Sequence, residues 1–297
     1  MNVNELIAKE YDIRKEKIMK KPIKRVATIH DLCGVGKAAL TNVMPVLSTL
    51  GIEVCPIPTM ILTTHTGGFK PNVIKLNGYI SKAINHYRDI EIDFEGIFVG
   101  YLGSSTNIEE TLNLLQSIKK NCSLVVLDPI FADNGKYYSN FDKNYSDSLK
   151  ELIRYSHIIT PNFTEACILA EEKIISEASE EELLIISRKL HNLGCKDVVI
   201  TSVPLTDKNR IGTTIYDGEK DSIEIIIRDR LEKSYPGTGD IFTSVLIGMM
   251  LNENSLSESV KKSCEFTERC MLESNKYDYP TKEGVLLERV LKHLNKL

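Results

Sequence analysis

The chain has 297 residues, a formal net charge of −4 at pH 7 and a hydrophobic content of 42%. That length can bury one large core, and a pI near 5.9 excludes the broad basic face that nucleic-acid binding requires. No apolar run approaches the roughly 20 residues that cross a bilayer, and the N-terminus lacks the apolar stretch of a secretory signal. We therefore expect a cytoplasmic protein without nucleic-acid or membrane partners.

Cysteine and histidine spacing predicts neither a disulfide framework nor a metal cluster. The seven cysteines are scattered without a CxxC pair, and the six histidines are equally dispersed. Most cysteines are predicted to be small buried hydrophobic residues. Cys33 differs because it lies in a glycine-containing loop, where packing and reactivity are both open.

Residues 1–22 are polar and mixed in charge, and we interpret them as an N-terminal extension without chemistry of its own. Motifs are spread over the remainder, which predicts that residues 23–297 form a single domain. We assign both boundaries from composition alone.

From Arg25 onward, β-rich runs alternate with helical patterns. The predicted strands are RVATIH, IEVCPIP, TMILTT, GIFVGYLG, CSLVVLDP, HIITPN and KDVVITS. The predicted helices are residues 37–50, 75–88, NIEETLNLLQSIKK, 144–154, a segment after Asn162, and the chain from Gly239 onward. This alternation predicts an α/β fold with a mainly parallel sheet flanked by helices on both faces. IGTTIYDGEKDSIEIII contains a DG turn and predicts a β-hairpin.

The segment PGTGDIFTSVLIGMM, residues 236–250, carries the strongest chemical signal. Gly237 and Gly239 flank Thr238, and Asp240 follows at the start of an apolar helix. Backbone N–H groups at a helix N-terminus bind anions, and the next carboxylate can take a proton from an attacking alcohol. This combination suits phosphoryl transfer. A glycine-rich turn capped by Asp240 would also explain the pattern.

Acidic side chains follow two further predicted strands. LDPIFADNGK places Asp128 at a strand end and Asp133 in the loop beyond it, where they could hold Mg²⁺ through water or belong to an ordinary turn. ITPNFTEA places Asn162 three residues before Glu165, a spacing that also predicts a helix capping box. VVITS leaves Thr201 at the end of a strand, where a nucleotide could lie.

The DP-x₃-D, TPNxxEA and GTGD segments, in that order along the chain, resemble the ribokinase-like superfamily. Within it, PTMILTTHTGGF (58–69) and VGYLGS (99–104) are similar to segments of the pyridoxal and pyridoxamine kinases. The resemblance runs from about Arg25 to the last helix. It implies a ribokinase-like kinase, usually a homodimer, that uses ATP and Mg²⁺ to phosphorylate the 5′-hydroxymethyl group of a B6 vitamer. It also implies that the hairpin around residues 211–236 covers ATP.

The resemblance implies roles for residues that would contact the phosphates. Asp240 would be the catalytic base, and the N–H groups of residues 237–239 would surround the transferring phosphoryl group. Asn162 and Thr201, together with Thr238 and Gly239, would contact ATP. The implied Mg²⁺ ligands are Asp128, Asp133 and Glu165. The residues that match the surroundings of a monovalent cation such as K⁺ are Asp128, Thr160, Thr201 and Glu165.

On the substrate side, the resemblance implies that Thr66 and Tyr101 line the pyridine pocket and that His65 supports it. Asp31 stands where mammalian-type pyridoxal kinases carry a serine, and its carboxylate could contact the pyridine nitrogen or the 3-hydroxyl. Hydroxymethylpyrimidine kinases also carry an aspartate there, so that activity stays open, as does a non-catalytic B6-binding protein. Lys37 is expected to be solvated.

Overall fold

The computed structural model describes residues 23–117 and 122–296, so the predicted N-terminal extension lies outside the described residues. The strands are β1 Arg25–Val35, β2 Glu53–Thr64, β3 Val73–Lys75, β4 Gly96–Val99, β5 Leu124–Leu127, β6 Ala132–Asp133, β7 Lys136–Tyr137, β8 Ile158–Ile159, β9 Asp197–Pro204, β10 Arg210–Asp217 and β11 Ser222–Asp229. The α-helices are α1 Leu40–Thr49, α2 Tyr79–Asp89, α3 Ser105–Ser117, α4 Lys143–Ile153, α5 Phe163–Leu169, α6 Glu180–His191, α7 Thr238–Leu251, α8 Leu256–Asn275 and α9 Leu287–Val290.

The main sheet is mostly parallel, as the sequence predicts. Its nine strands lie in the order β11-β10-β9-β8-β5-β4-β1-β2-β3. The six central strands, β9, β8, β5, β4, β1 and β2, are parallel, whereas β3 at one end of the sheet and β10 and β11 at the other pair in the antiparallel sense. The predicted hairpin is β10–β11, and it extends the main sheet beyond β9.

Helices cover both faces of the sheet, which confirms the predicted architecture. In β1, Ala27 and Ile29 pack into the core formed with helices α2 to α6. Val26, on the opposite face of the same strand, packs against α1, α7 and α8. Strands buried on both faces lose the polar alternation of a half-exposed strand, and β4 is accordingly buried along its whole length.

Element boundaries differ from the predictions where tertiary contacts extend or replace a local pattern. IEVCPIP and TMILTT form one strand, β2, and β1 continues through the glycine-containing loop as far as Val35. The helix predicted from residue 75 begins at Tyr79, because residues 73–75 form the edge strand β3. GIFVGYLG leaves the sheet after Val99. Helix α6, which the sequence did not single out, begins with a capping box formed by Ser179 and Glu182.

The chain reverses its direction across the sheet at β1. Strand β2 pairs with β1 on one side, and β4 pairs with it on the other. The β1–β4 pairing ends at Ile29 and Val99, and the β1–β2 register shifts between His30 and Leu32. A crevice at the carboxyl ends of the strands is expected where the strand order reverses. Within the part of the chain that the structure describes, no helix is both long and apolar enough to span a membrane.

Candidate active site

Helix α7 begins with the GTGD segment, and its N-terminus lies against the loop that follows β1. Gly237 is the N-cap, with φ of +80°, and Thr238 is the first helical residue. The first N–H groups of a helix have no acceptor inside it, and the helix dipole adds positive potential there. The local structure is therefore the anion-binding arrangement that the sequence predicts.

Gly237 is packed so closely that no side chain fits. A Cβ atom there would lie 2.4 Å from the carbonyl oxygen of Lys37 and 2.5 Å from Nδ2 of Asn42. Asn42, which is fully buried, donates to the carbonyl oxygens of Lys37 at 2.6 Å and Gly237 at 3.1 Å. The loop after β1 and the loop before α7 are therefore held together by one amide group.

Asp240 bonds across the crevice and does not cap its own helix. Its Oδ2 accepts the backbone N–H of Ala39 at 2.5 Å. Ala39 has φ of +59° and Lys37 has φ of +47°, and such conformations cost a non-glycine residue about 1–3 kcal/mol each. The strained loop and the carboxylate thus hold each other in place, which excludes the interpretation of Asp240 as a simple turn cap.

A buried histidine lies between Asp240 and Asp31. Nε2 of His30 is 3.1 Å from Oδ1 of Asp240, and Nδ1 is 2.8 Å from Oδ1 of Asp31. The backbone N–H of Asp31 is also directed at Nδ1, at 2.9 Å, but an unprotonated Nδ1 would repel the carboxylate oxygen on its other side, so we assign a proton to both ring nitrogens. Burial alone would lower the pKa of His30, whereas Asp240 and Asp31 raise it to about 10. The two carboxylates therefore favour the protonated, positively charged form of the ring.

Asp128 follows β5 and faces α7. Thr243, one turn beyond Asp240, donates to Oδ2 of Asp128 at 3.2 Å, and the hydroxyl of Thr160 lies 3.2 Å from that of Thr243. Burial and then the negative charge of Asp240 raise the pKa of Asp128 to about 7, against the opposing effects of His30 and the Thr243 hydrogen bond. Two buried carboxylates that repel each other mark a place where a cation would be favourable.

Glu165 organises the loop that follows β5. Its Oε1 accepts the N–H groups of Phe131 at 3.0 Å and Ala132 at 3.2 Å, and its Oε2 accepts the N–H of Asn162 at 2.9 Å. Asn162 in turn accepts the N–H of Glu165, which completes the predicted capping box of α5. Burial and the charge of Asp128 raise the pKa of Glu165 well above its usual range, although the backbone N–H groups lower it.

Two of the predicted metal ligands lie on contacting segments. Glu165 accepts the N–H of Ala132, the residue before Asp133, and the charge of Asp128 contributes to the raised pKa of Glu165. Over residues 23–117 and 122–296, no three histidine, cysteine or acidic side chains are grouped closely enough to bind a metal ion directly. Since Mg²⁺ keeps several of its waters, the acidic residues fit a water-mediated Mg²⁺ site and not a direct cage.

An apolar wall lies on the other side of Asp31. Its members are Cys33, Ala39, Met60 and Leu62, with Ala38 and Tyr101 packed against them. The hydroxyl of Tyr101 accepts a hydrogen bond from Asn140 at 2.7 Å. A cluster of apolar side chains with a carboxylate bonded to one of its members suits a heteroaromatic ring that carries polar substituents.

Cys33 donates a hydrogen bond from its thiol to Oδ2 of Asp31 at 3.1 Å. Burial and the charge of Asp31 raise the pKa of the thiol above its usual range. A thiol that stays protonated is a weak nucleophile, so the structure favours the packing role of Cys33.

His65 holds the C-terminal segment against the end of β2. Its Nδ1 accepts the N–H of Gly67 at 3.0 Å, and its Nε2 donates to the carbonyl oxygen of Lys282 at 2.6 Å. Both ring nitrogens are therefore used in structural contacts, and the neighbouring Thr66 is exposed. Lys37, expected to be solvated, forms an ion pair with Glu288 at 2.8 Å.

Thr201 lies beside Asn162, because the two residues form an isolated parallel bridge. The bridge brings the end of β9 to the start of α5, on the side of the crevice where the sequence places ATP. The β10–β11 hairpin adjoins β9 at this edge of the sheet.

Sequence reasoning selected Asp31 but missed His30 and Asn42. His30 directly follows an apolar strand in RVATIHD, so the rule that ligands bind at strand ends could have found it. Asn42 gives no such signal, since its importance comes only from the two distant carbonyl groups to which it donates.

Comparison with known proteins identifies the group of kinases to which this arrangement belongs. Residues 46–284 match the phosphomethylpyrimidine kinase family. The chain belongs to this family. It is a phosphotransferase with an alcohol acceptor, and its ribokinase-like α/β fold is as predicted.

The similar proteins include kinases named for pyridoxal and kinases named for hydroxymethylpyrimidine or phosphomethylpyrimidine. A Bacteroides thetaiotaomicron protein provisionally named phosphomethylpyrimidine kinase is 34% identical, with a TM-score of 0.90 over 94% of this chain and 96% of that chain. A second crystal form of that protein contains pyridoxal. The pyridoxal kinase of Dictyostelium discoideum is 29% identical over 70% of this chain and 72% of its own. The hydroxymethylpyrimidine/phosphomethylpyrimidine kinase of Aquifex aeolicus is 28% identical over 82% and 86%.

Proposed function

We propose that this kinase transfers the γ-phosphoryl group of ATP to the 5′-hydroxymethyl group of pyridoxal, pyridoxine or pyridoxamine. One observation carries the proposal: the carboxylate of Asp240, in the first turn of α7, bonds to Ala39 of the apolar wall and, through His30, is linked to Asp31. A ring held against that wall would present a short alcohol to Asp240 and to a phosphoryl group at once. The relative that was crystallised with pyridoxal supports the choice of a B6 vitamer.

In the proposed reaction, Asp240 accepts the proton of the 5′-hydroxyl. The hydroxyl oxygen bonds to the γ-phosphorus while the bond between that phosphorus and ADP breaks, so ADP leaves. The N–H groups of Gly237, Thr238 and Gly239 stabilise the charge on the transferring group. Because the transition state of phosphoryl transfer is loose, holding donor and acceptor in line supplies most of the rate enhancement. The packing of Gly237 against the loop after β1 serves this alignment.

Mg²⁺ neutralises charge on the phosphate oxygens when it is bound. Asp128, Asp133 and Glu165 would hold it, and Asn162 and Thr201 would contact the ATP phosphates. A monovalent cation such as K⁺ has suitable oxygen donors near Asp128 and Thr160.

On the substrate side, Asp31 contacts the polar edge of the ring, and Tyr101 and Thr66 flank it. His65 supports this pocket indirectly, since it ties the end of β2 to the C-terminal segment. We also propose a homodimeric, cytoplasmic enzyme that binds neither nucleic acid nor membranes.

Hydroxymethylpyrimidine is the alternative acceptor, because the Aquifex relative is named for it and Asp31 is compatible with either ring. A panel of pyridoxal, pyridoxine, pyridoxamine and hydroxymethylpyrimidine, each with Mg-ATP, decides between them. We expect a B6 vitamer to give the highest kcat/KM, measured by ADP release and by the absorbance of pyridoxal 5′-phosphate. A higher value for hydroxymethylpyrimidine would replace the proposal. Vitamer binding without ADP release would indicate a binding protein.

A further inference from the structure

The ring of His30 occupies a site that admits almost no movement. A Cβ atom on Gly100 would lie 2.0 Å from Cδ2 of His30, so the glycine leaves just enough room for the imidazole. The other face of the space is closed by Phe98, whose ring centroid is 5.7 Å away at an interplanar angle of 77°. His30 is 1% exposed. The orientation of the ring is therefore fixed, and each of its two nitrogens faces one partner.

Each nitrogen points at a carboxylate that belongs to a different half of the crevice. Nδ1 faces Asp31, which borders the apolar wall, and Nε2 faces Asp240 at the start of α7. Asp31 uses its second oxygen to accept from Cys33, and Asp240 uses its second oxygen to accept from Ala39. Both carboxylates are thereby held at two points each, with His30 as the shared contact.

We propose that His30 is a positioning residue for phosphoryl transfer, which keeps Asp240 aimed at the acceptor alcohol and couples it to Asp31 in the ring pocket. This inference deepens the proposed function and rests on it. The charged and titratable groups that face the ring region are Asp31, Cys33, Asp128 and Asp240. A single buried cation among these acidic groups compensates the charge that Asp240 must carry in order to accept a proton.

The geometry predicts different results for two conservative substitutions. The amide of asparagine reaches the place of Nδ1, so His30→Asn keeps a contact to Asp31 and loses the one to Asp240. The amide of glutamine reaches the place of Nε2, so His30→Gln does the reverse. Both remove the charge, and each serves as the control for the other.

We expect His30→Asn to lower kcat on the order of 10²-fold, because misplacing a reacting group by about 1 Å costs that much. The decrease in kcat for His30→Gln should be about tenfold smaller than for His30→Asn, because a tenfold rate difference corresponds to about one hydrogen bond to a charged group. KM for ATP should stay close to the wild-type value in both. Wild-type kcat in both folded variants, or an increase in the vitamer KM alone, would overturn the inference.

A spectroscopic measurement on the wild-type protein does not depend on whether the variants fold. With ¹⁵N-labelled histidine, we expect both ring nitrogens of His30 to be protonated at pH 8, and the Nε2 signal to change in Asp240→Asn. A neutral His30 ring at pH 8 would contradict the proposal. If the wild-type enzyme phosphorylates no vitamer in the acceptor panel, the proposed function fails independently of either result.

Discussion

At the scale of single residues, Asp240 is held by groups that come from opposite directions. The backbone of Ala39 contacts one oxygen and His30 contacts the other. Asp128 is a further acidic group close to Asp240, since the charge of Asp240 contributes to the raised pKa of Asp128. A carboxylate in such a place is oriented by its hydrogen bonds and balanced by one cation.

Asp240→Asn tests the assignment of the base. We expect kcat to fall about 10²–10⁴-fold, the usual contribution of a general base, with little change in ADP affinity measured by calorimetry. The fold should tolerate the change, because a neutral His30 can accept the new amide at Nε2 while Nδ1 keeps its proton for Asp31. Unchanged turnover would show that another group takes the proton.

His30 also predicts how stability depends on pH. Its pKa is about 10 in the folded protein against an ordinary value of 6.5, so the folded state binds the proton more tightly. This contribution to the free energy of unfolding is complete below pH 6.5 and is lost as the pH rises to about 10. Urea unfolding of the metal-free protein between pH 7.5 and 9.5 should show a steeper decline for the wild type than for His30→Gln. Parallel declines would show that the ring is neutral in the folded protein.

At the scale of elements, α7 is the rigid part of the site. Residues 240–249 are buried around the whole circumference of this helix, between the sheet and α8. A helix that is apolar on all sides is fixed by its surroundings. Its N-terminus is further fixed by the contact between Gly237 and the loop after β1, so the anion site and the base move as one unit.

Two glycines with the same backbone conformation allow a matched test of that contact. Gly237 and Gly78 are both helix N-caps with φ of +80°, but a Cβ on Gly78 would meet nothing within 4 Å. Gly78→Ala should cost about 1–2 kcal/mol of stability, from the left-handed backbone alone. Gly237→Ala should cost about 1–3 kcal/mol more, from the collision with Lys37 and Asn42, and should also lower kcat. Urea unfolding measures the first effect and steady-state kinetics the second. Equal costs would show that the loop moves aside freely.

At the scale of the whole molecule, the C-terminal segment completes the core and reaches the site. Val285, Leu287, Val290 and Leu294 are each at most 3% exposed. They pack with α7 and α8, and the same segment meets His65 through Lys282. Stability and the conformation of the chain around His65 and Gly67 are therefore linked through this segment.

Deleting residues 276–297 should leave a protein that does not fold. The four buried apolar side chains contribute about 1.5–3 kcal/mol each, which together approaches the typical 5–15 kcal/mol of total stability. Deleting residues 1–22 is the control of equal length, and we expect it to leave kcat unchanged. Circular dichroism with thermal unfolding compares the two. A C-terminally deleted protein with wild-type Tm would contradict the packing argument.

The sequence by itself determined the mainly parallel sheet, the helices on both faces and the hairpin, because these follow from apolar periodicity and turn residues over short windows. It also determined where polar residues would meet, since parallel strands bring their carboxyl ends to one edge of the sheet. The periodicity of apolar residues was less informative where pairing with a neighbouring strand decides the conformation. Residues 73–75 became a strand because β2 offered an edge, and β1 continued to Val35 along β2.

Only the tertiary structure decided how the site is held together. His30 and Asp240 are 210 residues apart, Ala39 and Asp240 are 201 apart, and Asn42 and Gly237 are 195 apart. Nothing in a local pattern encodes such pairs, because they exist only once β1 and α7 pack side by side. The charge on His30 has the same origin, since an imidazole beside one aspartate in sequence acquires the second only through folding.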